Sequence, residues 1–361
     1  MSSNIFSSGW TWLIPALSTA LLIGAGIAGV GPFIAVLCGV GVIGAVFTAV
    51  YHAEVVAHRV GEPFGTLILA VSVTVIEVSL ILSLMFAGGS DKAVLPRDTI
   101  YAAVMIICNG VVGVCILVGG LAHREQTFRV EGAGAGLAAL IAMSALCLVL
   151  PAFTTTTAGG TYSRSQLVFV ALASLSLWAV FVFIQTVRHR DYFLPEADPR
   201  NPEAHAEPPT KGETWASFGL LMVSLVSVVG LAKLLSPTIE SAVESVGAPP
   251  AVIGVVIAML VLLPETWAAV RAASADRLQT SMNLAIGSAL ASIGLTIPTV
   301  ALAAMVLGFP LVLGLDPKDL VMLALTFLVS AVTLGTGRTQ LMQGAVHLVI
   351  FAAFLLLALV P

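Results

Sequence analysis

Apolar residues fall in long uninterrupted runs separated by short polar breaks, and about 20 such residues suffice for a helix to cross a bilayer. Eleven runs qualify, over roughly 12–30, 33–50, 63–87, 99–121, 134–152, 166–187, 216–235, 250–270, 281–307, 319–335 and 342–360. Gly31-Pro32 separates the first two, as a helix-breaking pair should. The tenth run is short enough to be re-entrant. One connection alone is long and polar, 188–214, rich in proline and charge and read as a solvated linker. The pattern predicts an all-α polytopic membrane protein of about eleven helices. Its parts are an extra N-terminal helix (1–31), a first five-helix half (32–187), a hydrophilic linker (188–214) and a second five-helix half (215–361). Five helices per half is an odd number, so the halves enter the membrane with opposite orientation, as an inverted repeat.

The stretch GEPFGTLILAVSVTVIEVSLILSL, 61–84, carries one carboxylate, Glu77, near its middle. An acid at the centre of a membrane helix costs roughly 3 kcal/mol, and groups retained at that cost usually handle ions or protons. The chain does this twice. Residues 247–272 form another apolar run, with Glu265 inside. The approaches match: Glu54 precedes Gly61 and Glu240 precedes Gly247 by seven residues, with Pro63 and Pro249 two residues after each glycine. Two related helices, each with a membrane carboxylate, predict a midplane two-glutamate site at the interface of a duplicated transporter.

Composition sharpens this picture. Only 9% of the 361 residues are charged and 58% are hydrophobic, against about 25% charged in soluble domains. No basic domain points to nucleic acid, and no GxxxxGK[ST] motif points to ATP. Cys38, Cys108, Cys115 and Cys147 lie in apolar runs without metal-ligand spacing and read as packing residues. Lys and Arg favour the N-terminal side of the helices: ten (Arg59, Arg124, Arg129, Arg188, Arg190, Arg200, Lys211, Arg271, Arg277, Arg338) against five (Lys92, Arg97, Arg164, Lys233, Lys318). The positive-inside rule then places the N-terminus and the linker in the cytoplasm, in a multi-pass protein of the cell inner (plasma) membrane.

Helical spacing sets Thr66, Thr74 and Glu77 on one face, with Ser72, Ser79 and Ser83 on the other. Pro264 directly precedes Glu265; it removes a backbone donor and predicts a kink that frees a carbonyl oxygen one turn earlier. The following helices are polar too: Asn109, Gly110 and Gly113 in the first half, Asn283, Gly287, Ser288 and Ser292 in the second. Amides and hydroxyls there serve either helix packing or ion ligation. His52, Glu54, His58 and Glu62 precede the first acid helix, and Glu240 and Glu244 the second. They read as charges at helix ends by the membrane surface, or as an entry funnel. A carboxylate in an apolar setting holds a proton near neutral pH, and an arriving cation expels it. Hard cations such as Ca²⁺ need several oxygens, which two glutamates, amides, hydroxyls and freed carbonyls would supply.

With HAEVVAHRV ahead of GEPFGTLILAVSVTVIEVSL, and GVVIAMLVLLPETWAAVRAA followed by NLAIGSALASIGLTIP, the chain resembles the two α-repeats of the cation/Ca²⁺ exchanger superfamily. Within it, the similarity is to bacterial ChaA-type calcium/proton (sodium-potassium/proton) antiporters. The resemblance spans nearly the whole chain. It implies exchange of cytoplasmic cation, Ca²⁺ first and Na⁺ or K⁺ next, for external protons. It matches the repeat glutamates to Glu77 and Glu265, and further polar positions to Asn109, Gly110, Asn283, Gly287 and Ser288. Many relatives carry Gly-Asn three to four residues before the repeat acid; here Val73-Thr74 precedes Glu77 and Leu262 precedes Glu265. The expected partners are inorganic cations, protons and the bilayer, with no cofactor and no enzymatic activity; oligomeric state is not encoded legibly. An intramembrane carboxylate-dependent hydrolase and a cation channel are the other classes. The hydrolase would need paired aspartates or a Gly-X-Ser-Gly serine within the helices, and neither occurs. A channel would show no saturable coupling to a pH gradient.

Overall fold

The computed structural model describes residues 9–61, 64–88, 92–194, 209–245 and 247–361; within helix 64–88, side chains are described at 68 and from 71 to 86. The helices are α1 (Trp10–Ala28), α2 (Pro32–Val60), α3 (Phe64–Gly88), α4 (Leu95–Met105), α5 (Val112–His123), α6 (Val130–Ser144), α7 (Arg164–Phe183), α8 (Lys211–Ser245), α9 (Ala251–Ser274), α10 (Leu278–Leu307), α11 (Pro317–Leu334) and α12 (Leu341–Leu359). A π-helical turn, Ile106–Val111, joins α4 to α5 as one span. Further π turns, Ala145–Val149 and Ile184–Arg188, prolong α6 and α7. Ten helices among the described residues are long and apolar enough to span a membrane; in α3 the described apolar stretch runs from Val71 to Phe86. All eleven expected runs are helical, and the short tenth is a regular 18-residue helix, Pro317–Leu334.

Two helices run well past their apolar cores. α2 continues through His52, Glu54 and His58, and α8 through Glu240 and Glu244. Hydropathy ends where charge begins, but backbone hydrogen bonding does not, and each helix keeps its polar end. Both stop at a glycine-bearing turn: Gly61 has φ +77° and Gly247 has φ +67°. That left-handed backbone is strained for any residue with a Cβ. The matching glycines of the two sequence repeats thus share a positive φ and precede the two acid helices.

The chain forms two compact units. Unit 1 holds residues up to Ala87 together with Glu196–Ser245; unit 2 holds Gly88–Pro195 and Val246–Pro361. Each therefore draws on both sequence halves. In unit 1, α1 lies against α2 and α8, which pack along one another. Small residues allow this: Leu21 reaches over Gly41 and Leu22 over Gly230. Hydroxyls stitch the seam, with Thr19 and Ser227 oxygens 2.9 Å apart and Ser18 donating to the Gly41 carbonyl at 3.2 Å. Such small-residue and hydroxyl contacts replace the hydrophobic effect inside a bilayer. In unit 2, α10 packs against α6, α7 and α9, and the α4–α5 span lies against α9 and α12. Gly113 abuts His347 and Leu348, while Gly344 abuts the Leu117 backbone, so these two helices approach closely. The loops after α5 and α11 pair as a short antiparallel ladder, β1 (Gln126–Thr127) with β2 (Arg338–Thr339). The four cysteines are free and buried, as their setting predicted.

Candidate cation and proton sites

Glu77 lies on α3 in unit 1 and is buried, 4% exposed; Thr74, one turn earlier, is buried at 5%. They share a face, as the spacing requires. Ser72, on another face, returns its hydroxyl to the Ile68 carbonyl at 2.8 Å, the self-satisfying habit of membrane hydroxyls. Thr66 and Glu62 lie outside the described side chains. Glu265 lies on α9 in unit 2 and is half-buried. The helix is unbroken through Pro264, so the proline leaves a missing donor inside a continuous helix. Thr266 donates its hydroxyl to the Leu262 carbonyl at 2.7 Å.

The two repeat asparagines are each committed to protein partners inside unit 2. Asn109 sits in the π turn, completely buried. Its Nδ2 donates to Thr326 Oγ1 at 2.9 Å, and its Oδ1 lies 3.3 Å from His347 Nδ1. Thr326 in turn donates to the Met322 carbonyl at 2.8 Å. His347 Nε2 faces the Thr333 hydroxyl at 3.1 Å. These pairings fix a direction. An amide oxygen can only accept, so His347 Nδ1 carries a proton. The chain ties α11, α12 and the α4–α5 span together. Gly110 and Gly113 serve its close packing, lying under Phe351 and against Leu348.

Asn283, near the start of α10, donates to the Phe193 carbonyl at 2.5 Å and accepts from Gln279 Nε2 at 2.9 Å. Gln279 Oε1 accepts from the Arg129 backbone N–H at 2.6 Å, and Arg129 Nη1 donates to the Asp191 carbonyl at 2.8 Å. Phe193 is buried, with its ring edge-on to Phe181 at 5.7 Å. The first residues of the linker are therefore folded back onto α6, α7 and α10. Ser288 is half-buried and Ser292 buried on α10; nothing packs where a Gly287 side chain would point.

The residues ahead of the acid helices divide. Glu54, His58 and Glu244 are exposed, and Glu240 is half-buried, accepting from Ser236 at 3.0 Å. His52 departs from the expected surface position: it is 1% exposed, and Nε2 reaches the Thr11 carbonyl at 2.8 Å. The turn of α2 carrying it is covered by α1, whose Trp10 ring lies 5.2 Å from that of Tyr51.

Sequence reasoning passed over His347, Thr326 and Thr333, and the buried hydroxyls of Ser144, Thr296 and Ser330, which make no hydrogen bond. A signal existed: Thr326, Ser330 and Thr333 stand at i, i+4 and i+7, one polar stripe on an otherwise apolar helix. Among the described residues, no three His, Cys, Asp or Glu side chains cluster as a metal site.

The sodium/calcium exchanger protein family model matches residues 30–187 and again 216–360. The chain belongs to the sodium/calcium exchanger protein family. The two matches fall on the two sequence halves and leave out the first helix and the linker. The chain is 49% identical to y4hA of Sinorhizobium fredii, over 98% of this chain and 96% of that one. It is 36% identical to the sodium-potassium/proton antiporter ChaA of Escherichia coli, over 88% and 86% of the two chains. Its fold resembles the solved structure of the Ca²⁺/H⁺ antiporter YfkE in native form: TM-score 0.75 at 18% identity, covering 97% of this chain and 100% of that one. This family member is thus an all-α polytopic membrane protein built on the exchanger fold.

Proposed function

We propose that the protein is a secondary antiporter of the inner membrane that exchanges cytoplasmic cations for external protons, with Ca²⁺ as the main cargo. Glu77 and Glu265 are the groups that hold either protons or the cation. The observation that carries this reading is the repeated device: a positive-φ glycine, then a long apolar helix with one carboxylate withdrawn from water, once in α3 and once in α9. A buried carboxylate binds its proton tightly, and a cation stabilises the ionised form, so the two ligands exclude one another. Ca²⁺ takes six to eight oxygens. Thr74 and Ser288 offer hydroxyls. Asn109 and Asn283 each accept one hydrogen bond at Oδ1, which leaves a second lone pair for an ion. Glu54, His58, Glu62, Glu240 and Glu244 serve as the approach to the acids, and the N-terminus and linker face the cytoplasm.

The relationship to ChaA favours a second reading of the cargo, Na⁺ or K⁺, within the same mechanism. Everted vesicles carrying the protein, with an imposed pH gradient, decide it. Ca²⁺, Na⁺ and K⁺ are added in turn, and dissipation of the gradient is followed. Saturable proton efflux on Ca²⁺ addition supports the first reading. A response to Na⁺ or K⁺ alone selects the second. No response to any of the three contradicts antiport.

A further inference from the structure

Asn109 lies in the π turn that joins α4 to α5, and both α11 and α12 pack against that turn. Neither of those helices carries a repeat glutamate, yet each commits a side chain to this one amide. On α11, Thr326 gives its own hydroxyl hydrogen to the Met322 carbonyl at 2.8 Å, with Met105 Sδ at 3.4 Å as a second acceptor in reach. A threonine hydroxyl has one hydrogen to give. Toward Asn109 it therefore accepts, and it takes the Nδ2 hydrogen at 2.9 Å. On α12, His347 Nδ1 stands 3.3 Å from Oδ1, and the ring also hydrogen-bonds the Cys108 carbonyl of the same π turn. Gly113 allows α12 to come this close: a Cβ there would stand 3.1 Å from His347 Cβ. Asn109, Thr326 and His347 are all completely buried.

A side-chain amide offers two N–H donors and an oxygen with two lone pairs. Here one donor is spent on Thr326, the other has Met105 Sδ at 4.0 Å, and one lone pair meets His347. What remains is the second lone pair of Oδ1. A hard cation takes oxygen ligands and finds no ligand in an N–H. Half a turn about the Cβ–Cγ bond would exchange the two ends of the amide. The oxygen would then face the Thr326 oxygen, whose hydrogen is already given to Met322, and the NH₂ would face the His347 N–H. Acceptor would oppose acceptor and donor would oppose donor, away from water, where unmade hydrogen bonds are costly. We propose that Thr326 and His347 are positioning residues of the cation site. From α11 and α12 they lock the Asn109 amide in the orientation that leaves an oxygen lone pair, and not an N–H, for the ion. This role rests on Asn109 being a cation ligand. Without the Thr326 oxygen the two amide orientations come closer in energy, and part of the population turns its NH₂ toward the ion. The loss is then one of cation affinity.

The test is a double-mutant cycle on cation binding to the purified full chain, read by isothermal titration with Ca²⁺, then Na⁺, then K⁺. Asn109→Ala should weaken binding of whichever ion the wild type takes. Thr326→Val keeps the side chain's shape and removes the oxygen; it should weaken binding about tenfold, the scale on which groups that orient a metal ligand act. Thr326→Ser returns the oxygen and should restore binding. A residue that works only through Asn109 has nothing left to orient once the amide is gone. Asn109→Ala combined with Thr326→Val should therefore bind like Asn109→Ala alone. A residue that merely holds helices together would add its own loss instead. Additive losses, or wild-type binding in Thr326→Val, overturn the positioning role and leave Asn109 a ligand. Wild-type binding in Asn109→Ala removes Asn109 from the cation site and the positioning role with it. A wild type that binds none of the three ions contradicts the antiport reading, and both fall. If Thr326→Val does not fold, His347→Phe carries the same cycle, since it removes the Nδ1–H and keeps a ring. His347→Asn is its rescue, because the asparagine amide nitrogen takes the place of Nδ1.

Discussion

Asn109 and Asn283 each lie on the helical span after an acid helix, and each spends its side-chain amide on a partner in its own unit. Their residue types were legible; their partners were not, because His347 and Phe193 stand 238 and 90 residues away. Such pairings depend on tertiary contact, which periodicity along one helix does not encode. The glutamates are different, since a lone acid in a long apolar run is visible in the sequence itself. Glu77→Gln and Glu265→Gln should each abolish cation-driven proton flux while leaving expression and membrane insertion intact. Glutamine keeps size and polarity but cannot release a proton. Robust proton-coupled flux in either variant removes that glutamate from the mechanism. Asn283→Ala should instead loosen the linker's folded-back turn, so that trypsin cuts after Arg190 several-fold faster than in the wild type. An unchanged cleavage rate would mean that Phe193 stays docked without the amide.

Helices were the easiest elements to read, because apolar runs of about 20 residues declare themselves. Their ends were not: α2 and α8 run on through charged turns that hydropathy discounts. The π turn at Ile106–Val111 left no sequence mark either, since its i→i+5 bonding is a packing outcome. Glycines at close crossings carry more of the stability than their size suggests. At Gly113 a Cβ would stand 3.0 Å from Leu348 Cγ and 3.1 Å from His347 Cβ. Gly113→Val should therefore push α12 away and destabilise the protein by about 1–3 kcal/mol, seen as a lower unfolding temperature in detergent. No change in that temperature would mean the α5–α12 seam has slack. On α9, Pro264→Ala restores the missing N–H inside a continuous helix. Cation affinity should weaken by more than about twofold with little loss of folded protein; an unchanged affinity separates the proline from ion binding.

At the scale of the whole chain, the family match stops and restarts around the linker, and each compact unit combines segments from both halves. The duplication was readable because its markers, Glu54 to Gly61 and Glu240 to Gly247, keep the same spacing. The distribution of helices over two units was not, since contact partners of a membrane helix are set by small residues and hydroxyls scattered over distant segments. Topology is open to direct test: a protease added to everted vesicles should cut the 188–214 linker, and the same protease added to intact cells should not. The opposite pattern would invert the assignment of both faces.

The central claim is that protons and cations compete for the two repeat glutamates, and the pH dependence of apparent cation affinity tests it most directly. A divalent ion that displaces two protons should lose up to about 100-fold in affinity per pH unit below both site pKa values, because each proton contributes a factor of about ten, or roughly 1.4 kcal/mol. A monovalent ion displacing one proton is limited to about tenfold. If the two acids interact, the slope belongs to the pair and not to either residue. Measured in vesicles with pH varied on the binding side, log Kd against pH should have a slope steeper than one for Ca²⁺, and near one for Na⁺ or K⁺ if either is carried. A cation affinity that stays flat from about pH 6 to 9 would contradict competition at Glu77 and Glu265, even if the protein still moved ions.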